Sequence, residues 1–172
     1  MGGVYMAIVT DNTLDEQGRI EISIEGISAK AGSYPARIAS FMAGDKRGAL
    51  FLPENNDQVL VAFVNGSPND AIVIGCLWST VDRPPDANSD GNNDQKIITT
   101  RSGNTIRLVD KQGDESIEIS DASGINKVTI RSRNNSVAIV AADSISLQAS
   151  SINIEATGGD LILKGGPNVK LN

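Results

Sequence analysis

Residues 144–166 read SISLQASSINIEATGGDLILKGG. Ile145 and Leu147, Ile152 and Ile154, and Leu161 and Leu163 stand two residues apart, with QASS and EATGGD between the doublets. Successive side chains of a strand point to opposite faces, so this period makes one greasy stripe and one wet face. The stretch has no proline, no aromatic residue and no helical spacing. The same doublet recurs upstream as Ile106/Leu108, Ile117/Ile119, Val128/Ile130 and Val137/Ile139, and once downstream as Val169/Leu171. Doublets start 11, 11, 9, 8, 7, 9 and 8 residues apart. Turn-forming segments such as DKQGDE, DASG, SRNN, TGGD and KGGPN fill the gaps.

Each such strand buries only a few side chains on one face. A lone meander of them leaves its apolar face bare and its edges open. Burying one Ile or Leu contributes roughly 1.5–3 kcal/mol, but only if something covers it. A single-chain solenoid needs a steadier rung length than this spacing. A two-sheet sandwich needs a wider core with large residues. Three intertwined copies of the chain, with small branched side chains meeting at a narrow axis, fit composition and spacing best. The predicted trimer core is Ile106, Leu108, Ile117, Ile119, Val128, Ile130, Val137, Ile139, Ile145, Leu147, Ile152, Ile154, Leu161 and Leu163. Such a prism is a stiff needle, because its register is shared among chains. Ile154→Asp would place three carboxylates together at that axis.

The first half differs. All six aromatic residues (Tyr5, Tyr34, Phe41, Phe51, Phe63 and Trp78) fall within residues 1–78. Aromatic rings fill wide cores, so this half reads as globular. Its predicted strands are VYMAIVT (4–10), GRIEISIEG (18–26), GALFLP (48–53), QVLVAFV (58–64) and AIVIGCLW (71–78). The second alternates Ile20, Ile22 and Ile24 against polar residues, and the last two read as fully buried strands. Short strands without a convincing helix suggest a small barrel, of which an OB-type Greek-key barrel is one option. The segment STVDRPPDANSDGNNDQ (79–95), with Pro84-Pro85, is a linker by composition. The expected organisation is a collar barrel over 1–80, a linker over 81–96 and a needle over 97–172.

The chain of 172 residues carries a net charge of -6. Residues 97–172 hold eight basic and eight acidic side chains, so the excess acid lies in the first half. An acidic surface disfavours nucleic acid, whose phosphates need a positive field. The lone cysteine, Cys76, rules out an internal disulfide. There is no histidine, which removes the commonest general base and metal ligand. No catalysis, cofactor or metal is expected. No apolar run is long enough to span a membrane, and the N-terminus lacks the basic and apolar regions of a signal peptide. Synthesis in the cytoplasm is expected.

Three motifs carry a family resemblance: DEQGRIEISIEG (15–26), GALFLPENNDQVLVAFVNGSPNDAIVIGCLW (48–78) and TTRSGNTIRLVD (99–110). In this order they resemble the central spike proteins of contractile injection machines. That family includes the phage baseplate assembly protein V, the VgrG spikes of type VI secretion, and the spikes of tailocins and extracellular injection systems. The resemblance implies a homotrimer with an N-terminal OB-fold collar and a C-terminal triple-stranded β-helix. It also implies a place at the centre of a baseplate, on a hub protein and, indirectly, the inner tube. Sheath contraction would drive the spike transiently through the target cell membrane. Asn56 stands where the family often has Gly, and Asn104 where many members have His. The chain starts almost at its first strand, which points to a hub that is a separate protein. Residues 79–95 leave no room for a lysozyme domain, and without histidine an iron-holding tip is absent. A PAAR-repeat-like tip protein is expected on the face made by Val169, Lys170, Leu171 and Asn172.

Single residues have plainer readings. Cys76 reads as a small core hydrophobe and Trp78 as a plug of the barrel bottom. Glu54 and Asp57 read as a solvated turn, as do GGPN (165–168) and RSRNN (131–135). A trimeric receptor- or glycan-binding fibre competes with the spike, but such fibres usually end in an aromatic-rich head. A polysaccharide lyase would need clustered carboxylates and aromatics, which the repeat lacks.

Overall fold

A computed structural model describes residues 3–26, 32–67 and 69–166. The chain divides into two compact units, Met1–Ala87 and Asn88–Asn172. Both are built from strands.

Among the described residues the first unit holds seven strands: β1 (Val4–Asp11), β2 (Arg19–Ile24), β3 (Tyr34–Ile38), β4 (Ala43–Gly44), β5 (Arg47–Gly48), β6 (Gln58–Phe63) and β7 (Ala71–Leu77). Five close into a barrel in the order β1-β2-β3-β7-β6, with β6 returning to β1. All pairs are antiparallel except β3 with β7. This is the five-stranded barrel that the spacing of the first half predicts. Alternation supplies its core. Ala7, Val9, Ile20, Ile22, Ile24, Ala36, Val59, Val61, Phe63, Ala71 and Val73 point inward and are buried. The rings of Tyr5 and Tyr34 meet Phe63 edge-on, with centroids 5.4 and 6.3 Å away.

The interior corrects several expectations. β6 is not buried on both faces: Val59, Val61 and Phe63 are inside, while Gln58, Leu60 and Ala62 are half-buried. β7 is buried only at Ala71 and Val73. Its register slips at Ile74, and beyond that bulge Cys76 and Trp78 are exposed. Neither is core: Cys76 lies toward the strand's end, and Trp78 lies past it. Partial desolvation, then the Asp57 carboxylate, push the Cys76 thiol up. β3 was not anticipated. Only Ala36 of its five residues is buried, so its apolar signal is thin.

The segment 48–53 is not a strand. Instead, residues 40–52 form an arm around the short β4–β5 hairpin. The turn that follows docks on β1. Asn56 N–H donates to the Val9 carbonyl at 2.8 Å, and Val9 N–H donates to the Asp57 carbonyl at 3.0 Å. Asn56 takes φ 77°, the left-handed region that Asn tolerates better than most residues. Asparagine therefore performs there the conformational task for which glycine is the usual choice.

The second unit begins with a five-stranded antiparallel sheet: β8 (Gln95–Thr99), β9 (Thr105–Val109), β10 (Ser116–Ser120), β11 (Lys127–Arg131) and β12 (Ser136–Val140). β8 starts inside the segment read as linker, and Asp110 N–H donates to the Asp94 carbonyl at 2.8 Å. Residues 141–166 adopt no strand within the chain. Ile145/Leu147, Ile152/Ile154 and Leu161/Leu163, expected as strands, are therefore without in-chain pairing. A strand requires a hydrogen-bonded neighbour, and no described part of the same chain supplies one there.

Candidate assembly interface

The meander is a tight template for a one-sided apolar surface. In-register pairing aligns Ile98, Ile106, Ile119, Val128 and Ile139 in one row across the strands. A second row runs Lys96, Leu108, Ile117, Ile130 and Val137. These side chains share one face, because strand positions two apart lie on the same side. The opposite face carries Arg107, Glu118, Thr129 and Ala138 in register. Thr129 is buried on that side, and Lys127 Nζ lies 3.9 Å from Glu118 Oε2.

The structure thus brings eight of the predicted trimer-core residues (Ile106, Leu108, Ile117, Ile119, Val128, Ile130, Val137 and Ile139) onto one face. Val128 is half-buried, and the other seven are exposed within the chain. The remaining six (Ile145, Leu147, Ile152, Ile154, Leu161 and Leu163) lie on the unpaired segment and are exposed as well. Across the thirteen exposed members, exposure runs from 41% at Ile106 to 67% at Val137. Val169, Lys170, Leu171 and Asn172, the predicted tip-cap surface, lie outside the described residues.

Turns between the strands are fixed by side chains. Ser123 Oγ donates to Asp121 Oδ1 at 2.7 Å and Asn126 Nδ2 to Asp121 Oδ2 at 2.6 Å. These donors hold the Asp121 carboxyl below the usual carboxylate range. Asn126 Oδ1 in turn accepts the N–H of Ala142 at 2.8 Å. Beyond that contact, the described residues 143–166 form no hydrogen bond within the chain. Sequence reasoning missed this clamp; the signal that could have found it is Asn126, an Asx residue placed just before β11. Lys96 Nζ pairs with Asp110 Oδ2 at 2.9 Å on the rim of the sheet. Among the described residues, no three of His, Cys, Asp and Glu gather as a metal site would require. No helix there is long and apolar enough to cross a membrane.

Residues 5–78, which contain the whole barrel apart from Val4, match the family model of the type VI secretion system/phage-baseplate injector OB domain. The N-terminal domain belongs to that injector OB family. Similarity also extends beyond the injector OB domain. The chain is 28% identical over 113 residues to the type VI secretion system spike protein VgrG5 of Pseudomonas aeruginosa. It is 27% identical over 113 residues to the spike protein VgrG4b of the same organism. Each match covers 60% of this chain and 14% of the relative, so the chain aligns with only a small part of either protein. The resemblance to VgrG-like baseplate spikes read from the three motifs is borne out by these matches.

Proposed function

We propose that the chain is the central spike of a contractile injection system, a homotrimer whose second unit builds a membrane-piercing needle. One observation carries this reading. Residues 143–166 repeat the apolar doublet on a backbone that makes no hydrogen bond within the described chain. Backbone N–H and C=O groups are obligatory hydrogen-bonding groups. An alternating apolar segment of this length therefore calls for strands from other chains. Two more copies supply them and cover the stripe in one step. In this reading β8 to β12 of each copy form one wall of a triangular prism, with Ile106 to Ile139 turned to the axis. Beyond Val140 the three chains wind around one another as a triple-stranded β-helix, with Ile145 to Leu163 inside.

Mechanically, such a needle resists peeling, because no strand can leave without breaking pairs to its neighbours. It needs no catalytic group, and the force comes from the sheath. The injector OB domain serves as the collar on a separate hub protein above the inner tube. Residues 169–172 offer the surface for a PAAR-repeat-like tip. The spike is made in the cytoplasm and assembled there into the baseplate. Light scattering of the purified chain tests the core of this reading. A mass three times 18.0 kDa is the expected result, and a monomer overturns it.

A further inference from the structure

The collar barrel carries an apolar surface that its own fold does not use. The arm of residues 40–52 is a formed element. Ala49 N–H donates to the Met42 carbonyl at 3.0 Å. The Ser40 hydroxyl shares its proton between the carbonyls of Met42 (3.0 Å) and Ala49 (2.9 Å). Gly48 sits at φ +147°, where a Cβ would fall 2.5 Å from the Met42 oxygen. The arm's shape is thus specified, yet it buries almost nothing. Phe41 is 87% exposed, and Met42, Leu50 and Phe51 are exposed too. With Leu14 they line a groove of about 730 Å³. Contiguous exposed apolar surface of this kind marks an interaction site, and two exposed phenylalanines are aromatic anchors of the sort that dominate interfaces.

Charge indicates the occupant. Lys46, beside Asp45 in the hairpin turn, and Arg47, at the start of β5, also line the groove. The unit they belong to holds eleven acidic side chains against six basic ones. A cationic pair on the groove wall of an acidic domain is complementary to the carboxylates of a second copy of that domain. In the trimeric reading, which this inference rests on, the needle tethers three collars together. A tethered partner is present at an effective concentration of about millimolar, so even a weak contact is populated. We infer that the arm of each collar packs Phe41, Met42, Leu50 and Phe51 against the collar of another copy, with Lys46 and Arg47 meeting its carboxylates.

The test uses the full chain and three readouts: mass, hydrogen exchange of residues 42–50, and zero-length carbodiimide cross-linking. Cross-linked species of dimer mass are mapped for Lys46 joined to an Asp or Glu of residues 1–87. The contact predicts such links, weakened by salt. It also predicts exchange of the arm amides at least about tenfold slower than in Phe41→Ser/Phe51→Ser. That variant should keep the trimer mass, because the needle holds the chains. Lys46→Glu/Arg47→Glu should likewise stay trimeric and lose arm protection. A trimer whose arm exchanges equally fast in parent and variants, with no inter-chain link from Lys46, overturns the contact and leaves the trimer standing. Protection that arises only when a baseplate hub protein is added overturns it equally, by assigning the arm to the hub. A monomeric mass overturns the trimer reading and the contact together.

Discussion

The tetrapeptide Ile-Glu-Ile-Ser occurs twice, at 20–23 in the barrel and at 117–120 in the repeat. Both copies are strands with the isoleucines on one face. In β2, Ile20 and Ile22 are 0% exposed; in β10, Ile117 and Ile119 are 43% and 51% exposed. Local sequence is the same, so local propensity cannot explain the difference. Closure does. The barrel curls until β6 meets β1, and its inner face becomes its own cover. The meander ends at two open edges, β8 and β12, and among the described residues of its unit no second layer covers its greasy face. One unit solves burial by closing on itself, and the other leaves its apolar face exposed.

The largest effects should come from a carboxylate placed in each copy of this tetrapeptide. An uncompensated buried charge costs roughly 3–5 kcal/mol. Ile22→Asp should melt the collar while light scattering still reports the parental mass. Ile119→Asp should do the reverse and drop the mass toward one chain, with the collar's near-ultraviolet circular dichroism intact. Ile154→Asp, on the unpaired segment, should act like Ile119→Asp, since in the proposed trimer three charges would converge on the axis. If Ile154→Asp keeps the parental mass and heat resistance, residue 154 faces water and the assigned register is wrong.

The alternation at β2 and at β9 to β12 was legible in the sequence because two-residue periodicity is a direct consequence of the pleat. The missed and misread segments share another cause. Tyr34–Ile38 carries Pro35 and buries only Ala36, so the strand exists because β2 and β7 leave it a slot. GALFLP reads as a strand by composition, yet Leu50 and Phe51 are exposed. Composition records that a side chain is apolar, not whether it packs within the chain or on a neighbour. Cys76 and Trp78 show the same limit: a bulge at Ile74 alters the course of the strand just before them, and no pattern announces a bulge. In the repeat, the stripe itself was legible. The point where in-chain pairing stops, at Val140, was not, because the doublets continue unchanged past it.

Smaller changes should separate the two units cleanly. Gly48→Ala forces a side chain into the left-handed half of conformational space and against the Met42 oxygen. Strain of this kind costs about 1–3 kcal/mol. Calorimetry should show the collar transition shifted down and the needle transition unmoved. Asn126→Ala removes the clamp between Asp121 and the Ala142 N–H. At about 0.5–1.5 kcal/mol per hydrogen bond, the needle should lose a little heat resistance and the collar none. A collar transition that moves with Asn126→Ala would mean that the two units do not unfold independently.

The smallest expected effect is electrostatic. Donors hold the carboxyls of Asp11 and Asp15 in the barrel, and of Glu115 and Asp121 in the repeat, below their ordinary values. At Asp11 the backbone N–H of Thr13 is the chief cause, and at Asp15 that of Arg19. At Asp121 the hydroxyl of Ser123 leads. A carboxyl depressed in the folded state binds its proton less readily than in the unfolded chain. Its stabilisation is therefore full above the unfolded value, near pH 4, and is lost as pH falls through the folded one. Asp11 and Asp15 are exposed and Glu115 and Asp121 half-buried, so salt should weaken the effect, most at the first two. Asp121→Asn keeps the shape and removes the charge. The melting temperature of the parent should exceed that of Asp121→Asn at about pH 7, and the gap should be smaller at an acid pH below the carboxyl's depressed folded-state value. An equal gap at both pH values would mean that the hydrogen bonds at this turn, and not the charge they hold, carry its contribution.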